Sequence, residues 1–228
     1  MESNTSFFGS IVNFFAVGGV WMVPIFIAQV VSLAIIAERI VRLYVQRQIG
    51  LRRQASLFEA DIKKGNLERV LLQARSLDRG SALRHVVEAG TQAALNMGGR
   101  DEVQAKMDEV LVNEQSKLEA RVDFLAMLGN VGTLLGLLGT IVGMIRSFAA
   151  ISQADQMTKA AMLAAGVSEA MHATAYGLIM AIPALVMYSV LQNRVNKLSD
   201  DMTQAALRIY NLLGFHYDSV TVKKSAGK

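Results

Sequence analysis

Long apolar runs alternate with patterned polar stretches along this chain. Residues 17–38 read VGGVWMVPIFIAQVVSLAIIAE and stop abruptly at Glu38-Arg39. Residues 124–150 hold the second run, FLAMLGNVGTLLGLLGTIVGMI followed by Arg146 and small residues. The third occupies 168–192, and from Ala160 to Gln192 the single charged side chain is Glu169. At about 1.5 Å of rise per residue, each run as a helix covers the ~30 Å hydrocarbon core of a bilayer.

Between the first two runs, residues 39–123 are polar overall but keep helical stripes. Leu67, Val70, Leu71 and Ala74 make one face, and Leu83, Val86, Val87 and Gly90 another. Lys64-Gly65-Asn66 and Asp78-Arg79-Gly80-Ser81 read as turns. A further helix starts near Asp101-Glu102, acids suited to a helix N-terminus. Its stripe of Val103, Met107, Val110, Leu111, Leu118, Val122 and Leu125 shows no linker before residue 124, so it is expected to run unbroken into the second span. Residues 1–16 carry Phe7, Phe8, Ile11, Val12, Phe14 and Phe15 on a helical stripe, which fits an interfacial amphipathic segment or a helix packed on the bundle. They contain no Lys or Arg, unlike the basic start of a secretory signal. Residues 151–167 form a short connection, and 193–228 a helical stripe ending in a small, basic tail expected to be disordered from Val220.

Composition agrees with an all-α chain. Only 18% of residues are charged, against about 25% in average domains, and there are two prolines. Continuous rather than alternating apolar runs disfavour a β-barrel. The absence of cysteine excludes disulfides and thiol-metal sites. The pI of 9.4 reflects a net charge of only +4 with acids and bases interleaved, so it points to membrane topology rather than nucleic acid. Arg42, Arg47, Arg52 and Arg53 follow the first span, and Arg194 and Lys197 follow the third. By the positive-inside bias these ends are cytoplasmic, which puts the N-terminus outside and the C-terminus inside.

Several residues in the spans call for chemistry. An unpaired charge at the bilayer centre costs at least about 2.5 kcal/mol, so Glu169 either faces an interior ion path or ends its helix at the headgroup level. Glu169, His172, Ala173, Tyr176, Met180 and Pro183 share one helix face, with Thr174 about 140° away. His172 pairs with Glu169 or is satisfied by a backbone carbonyl. Gly129, Gly132, Gly136, Gly139 and Gly143 form a single-face packing seam. Beside it run Thr133, Thr140 and Ser147, whose hydroxyls either line a polar path or bond the carbonyl one turn back. Pro183 removes an amide inside the third span, where a kink is expected, and is counted with the seam glycines as a helix-packing residue. His85, His172 and His216 lack metal-ligand spacing, and GLLGT lacks a phosphate-loop ending, so neither enzyme activity nor a cofactor is expected.

The quoted stretches resemble a known family. The first span's GGVWMVPI and AERIVRLY, the KKGNLERVL and GSALRHVVEAG turns, LLGLLGTIVGMI and SEAMHATAYGLIMAIPALVMY are similar, in order, to the inner-membrane proton-channel subunits that include ExbB and TolQ, with flagellar MotA more distant. The resemblance implies a three-span helix bundle with long helices extending into a cytoplasmic helical domain. It also implies a homo-pentameric ring around an ExbD/TolR-like single-span partner with an intramembrane aspartate, through which force reaches a periplasmic or outer-membrane effector. The family's pore glutamate falls on Glu169, its third-span threonine on Thr174 and its second-span threonine on Thr140. Gly132-Thr133 stands where the family often has Ala-Pro, and His172 where an apolar residue is usual.

Overall fold

The computed structural model describes residues 19–46, 55–78, 80–96, 99–152 and 157–225, with side chains at 45–46 and 215–225 outside the description. The segment 1–16, Arg47, Arg52, Arg53 and most of the polar stretch after Ser152 therefore lie outside the described residues. The described elements are helical throughout: α1 (Met22–Ile40), a π-helical turn (Val41–Gln46), α2 (Glu59–Lys63), α3 (Leu67–Ser76), α4 (Ala82–Leu95), α5 (Arg100–Glu119), α6 (Val122–Ile151) and α7 (Lys159–Ser225). Among the described residues, three helical stretches, containing α1, α6 and α7, are long and apolar enough to cross a membrane.

The chain divides into two compact units. One comprises α1 through Arg39, α6 and α7 through Val190. Its core gathers Met22, Ile25 and Ala28 of α1 with Tyr176 and Met180 of α7, and Leu128 and Leu135 of α6 pack against them. Every glycine of the α6 seam is buried. A Cβ on Gly129 would meet Leu185, and one on Gly143 would meet Ala170 at 2.9 Å. On Gly139 it would meet both Ala173 and Trp21. The seam is thus the face on which α6 meets α7, and hydrogen is the only substituent that lets the backbones approach so closely. The helix-propensity cost of about 1 kcal/mol per glycine is offset by that packing. Near the C-terminal end of α1, Glu38 pairs with Arg121, just before α6, at 2.5 Å.

The other unit comprises the chain from Ile40 to Ala120 and α7 from Leu191 onward. The stripes of α3, α4 and α5 are its core, with Val70, Ala74, Leu83, Val86, Val87, Val103, Met107 and Leu118 buried. From α7 it buries Val195, Leu198, Met202, Ala205, Ile209 and Leu213. Gln115 donates to Thr203 at 3.1 Å, and Arg208 pairs with Glu59 at 2.7 Å. Arg194 lies over the Tyr44 ring. Gly65, with φ of 75°, makes the turn between α2 and α3.

Three expectations need correction. The helix before the second span does not run unbroken: α5 ends at Glu119, Ala120 leaves helical geometry, and Arg121 takes a left-handed φ of 65° before α6 starts. The apolar stripe continues through this break, so periodicity alone hides it. The third helix starts at Lys159 rather than 168 and continues for 67 residues, so the connection at 151–167 is largely helix. That same helix extends to Ser225, which replaces the disorder expected from Val220.

Candidate functional site

Among the described residues, two separate polar clusters lie inside the apolar helices. The first lies where α6 crosses α7. Thr140 on α6 and Thr174 on α7 bring their hydroxyl oxygens to 2.7 Å. Thr174 also donates to the Gly136 carbonyl at 2.9 Å, and Thr140 lies 3.1 Å from the same oxygen and 2.9 Å from that of Leu137. Each hydroxyl has one proton and two lone pairs. When Thr174 donates to Gly136, Thr140 is free to donate to Thr174 or to its own helix, so the pair can exchange donors without moving its oxygens.

Glycine makes this meeting possible. A Cβ on Gly136 would lie 3.2 Å from the Thr174 Cα, and one on Gly177 would lie 2.7 Å from the Gly132 carbonyl oxygen. Thr133 and Ser147, the other members of the hydroxyl stripe, bond the carbonyls of Gly129 and Gly143, one turn back. Thr140 makes that same bond and the cross-helix contact besides.

The second cluster lies where α7 faces α1. The Tyr176 hydroxyl donates a hydrogen bond to Oε1 of Gln29. Two turns away, the Glu169 carboxylate rests against Gly19, at the turn that opens α1. His172 sits between them in sequence, and its Nδ1 lies 2.6 Å from the Ser168 carbonyl. A carbonyl only accepts, so Nδ1 carries the hydrogen.

The sequence-selected residues are therefore not one lining. Thr140 and Thr174 come together, Glu169 and Tyr176 turn to α1, and Thr133 is exposed. Pro183, expected to pack with the seam glycines, instead occupies an exposed position within α7. Gln29 and Gly19 were not selected as site residues. The available signal for Gln29 was an amide inside an otherwise apolar run, and for Gly19 a Gly-Gly pair at the start of a span.

Comparison with known proteins places this geometry. The model of the MotA/TolQ/ExbB proton channel family matches residues 79–204, which include α4 to α6 and the α7 segment carrying Glu169 and Thr174. The chain belongs to the MotA/TolQ/ExbB proton channel family. It is similar to the Tol-Pal system protein TolQ of Haemophilus influenzae, with 39% identity over 49% of this chain and 43% of that one. It is also similar to the biopolymer transport protein ExbB of Salmonella typhimurium, with 27% identity over 82% of this chain and 78% of that one. Its fold resembles a C. jejuni MotAB structure, with a TM-score of 0.62 and 14% identity, covering 92% of this chain and 86% of that one. This family member is a membrane protein whose described residues include three helices apolar and long enough to cross a bilayer, and its matched segment spans less than half of the TolQ relative.

Proposed function

We propose that this chain is the inner-membrane channel and stator subunit of a motor driven by the proton motive force. Several copies, five by family resemblance, form a ring around the transmembrane helices of an ExbD/TolR-like single-span partner. The partner's intramembrane aspartate carries the proton. The N-terminus is periplasmic and the C-terminus cytoplasmic. Ion flow moves the partner helices against the ring, and the partner passes the force to a periplasmic or outer-membrane effector. The work is outer-membrane transport, envelope maintenance or gliding motility. The chain itself catalyses no covalent reaction.

The observation that carries this reading is the Thr140–Thr174 hydroxyl pair at the crossing of α6 and α7. It offers donors and acceptors at a fixed point inside apolar helices, where a charged group in transit needs them. One elementary charge crossing ~100 mV releases about 2.3 kcal/mol, so several charges are needed per mechanical step. Glu169 sets the local field on the α1 side of α7.

A non-conducting scaffold would need the glycine seam but not a polar pair in lipid. The test is replacement of Glu169 by Ala and of Thr140 and Thr174 by Val, with partner-dependent motor output measured in cells at matched membrane levels. Loss of output in each supports the proposal. Unchanged output for Thr140→Val/Thr174→Val removes its main support, and unchanged output for Glu169→Ala removes that residue from the mechanism.

A further inference from the structure

We infer that Gly19 is a positioning residue for Glu169, and that the first span thereby takes part in setting the acid's location. The inference rests on the reading that Glu169 contributes to ion transfer. Gly19 has a φ of 69°, in the left-handed region, and its carbonyl accepts from the Met22 amide at 3.2 Å as the chain turns into α1. Its bare Cα is the seat of the Glu169 side chain. A Cβ there would collide with Oε1 and lie 3.2 Å from Cδ and 3.5 Å from Cγ.

Two features make this a seat rather than a chance approach. The amino end of a helix carries partial positive charge, which suits an acid laid against it. Two turns along α7 the Tyr176 hydroxyl bonds Gln29 of α1, so a second polar contact fixes the register of the same pair of helices. Glu169 cannot slide along α1 without breaking that bond. The first span therefore does more than anchor the subunit: its opening turn decides where the acid sits.

A merely structural glycine and a positioning glycine make different predictions. Alanine at Gly19 strains the backbone whatever lies opposite. Shortening the acid by one methylene relieves only the collision. The test uses the full chain expressed with its companion in its own host, comparing G19A, E169D and G19A/E169D for complementation of the gene's deletion, normalised to membrane-inserted protein. The expected result is a loss of about fivefold or more in G19A, with the double variant restored to the level of E169D alone.

A second readout does not need motor output. Labelling of Glu169 by dicyclohexylcarbodiimide in isolated membranes, followed by mass spectrometry, reports how the carboxyl is seated. G19A should raise that labelling several-fold. Wild-type output and labelling in G19A overturn the inference, as does a double variant no better than G19A when E169D alone is active. If E169D alone is inactive, labelling decides: a rise supports the inference and an unchanged value overturns it. If E169A retains full output, the role of Glu169 in transport is what fails, while labelling still tests whether Gly19 seats the carboxyl.

Discussion

Thr140 and Thr174 lie on different membrane-spanning helices, 34 residues apart in sequence, and share a 2.7 Å hydroxyl contact above the carbonyl of Gly136. Replacing either with valine keeps the shape and removes the polar group. The bond should contribute about 0.6 to 2 kcal/mol to the association of α6 with α7, as interhelical bonds in bilayers do. A double-mutant cycle on unfolding in detergent should give a coupling energy in that range. Zero coupling would mean that each hydroxyl is satisfied by backbone carbonyls rather than by the other.

The glycines at the α6–α7 contact should not be equally sensitive. A Cβ on Gly177 meets the backbone oxygen of Gly132 at 2.7 Å, so the helices themselves would have to separate. Gly177→Ala should destabilise by about 1–3 kcal/mol, the usual range for overpacking. On Gly132 a Cβ meets mainly the Met180 thioether, a flexible group able to turn aside. Gly132→Ala should therefore cost less. Thermal unfolding of the two variants in detergent checks the order, and the reverse order would contradict the crossing geometry.

Tyr176→Phe removes the donor that meets Gln29 and leaves the amide oxygen without that bond. The expected loss is about 0.6 kcal/mol, with an upper range near 1.7 kcal/mol. Gln29→Leu should lose a similar amount, and the double variant little more than either alone. Additive losses in denaturant unfolding would show that the two side chains act independently.

The second unit offers a pH test. Lys63, then Arg208, bond Glu59 and hold its carboxyl below its ordinary value of 4.5. A depressed carboxylate contributes stability that is present above the ordinary value and is lost as pH falls through the folded value. Glu59 is partly exposed, so the effect is small and weakened by salt. Relative to wild type, Glu59→Gln should shift the urea midpoint down at pH 7. The two proteins should converge below the usual carboxylate range. A difference that persists unchanged at low pH would mean that packing, not charge, links α2 to α7.

Much of this architecture was legible because the forces that set it act locally. The run lengths marked the spans, and Gly65 and the Asp78–Ser81 stretch marked turns that fall between helices. Most residues of the α3, α4 and α5 stripes are buried, while Leu71, Val110 and Leu111 are half-buried. The glycine seam could be read because its spacing of three and four puts it on one face. What a stripe does not state is which neighbour covers it. Glu169, Tyr176 and Thr174 were separable by angle. Yet only the packed structure assigns the first two to α1 and the third to α6. The left-handed residue at Arg121 left no mark, since neither glycine nor proline punctuates that point and the apolar period runs straight through it.

If the proposed ring forms around a single-span companion, the Thr140–Thr174 crossing should face that companion's helix. The chain contains no cysteine, so it is already a background for site-directed disulfide trapping. Cysteine placed at Thr140, with another beside the companion's intramembrane aspartate, should cross-link under mild oxidation in intact membranes. Cysteine at Leu138, about 160° around α6 and exposed in the single chain, should not. Strong trapping at 138 with none at 140 would contradict the account.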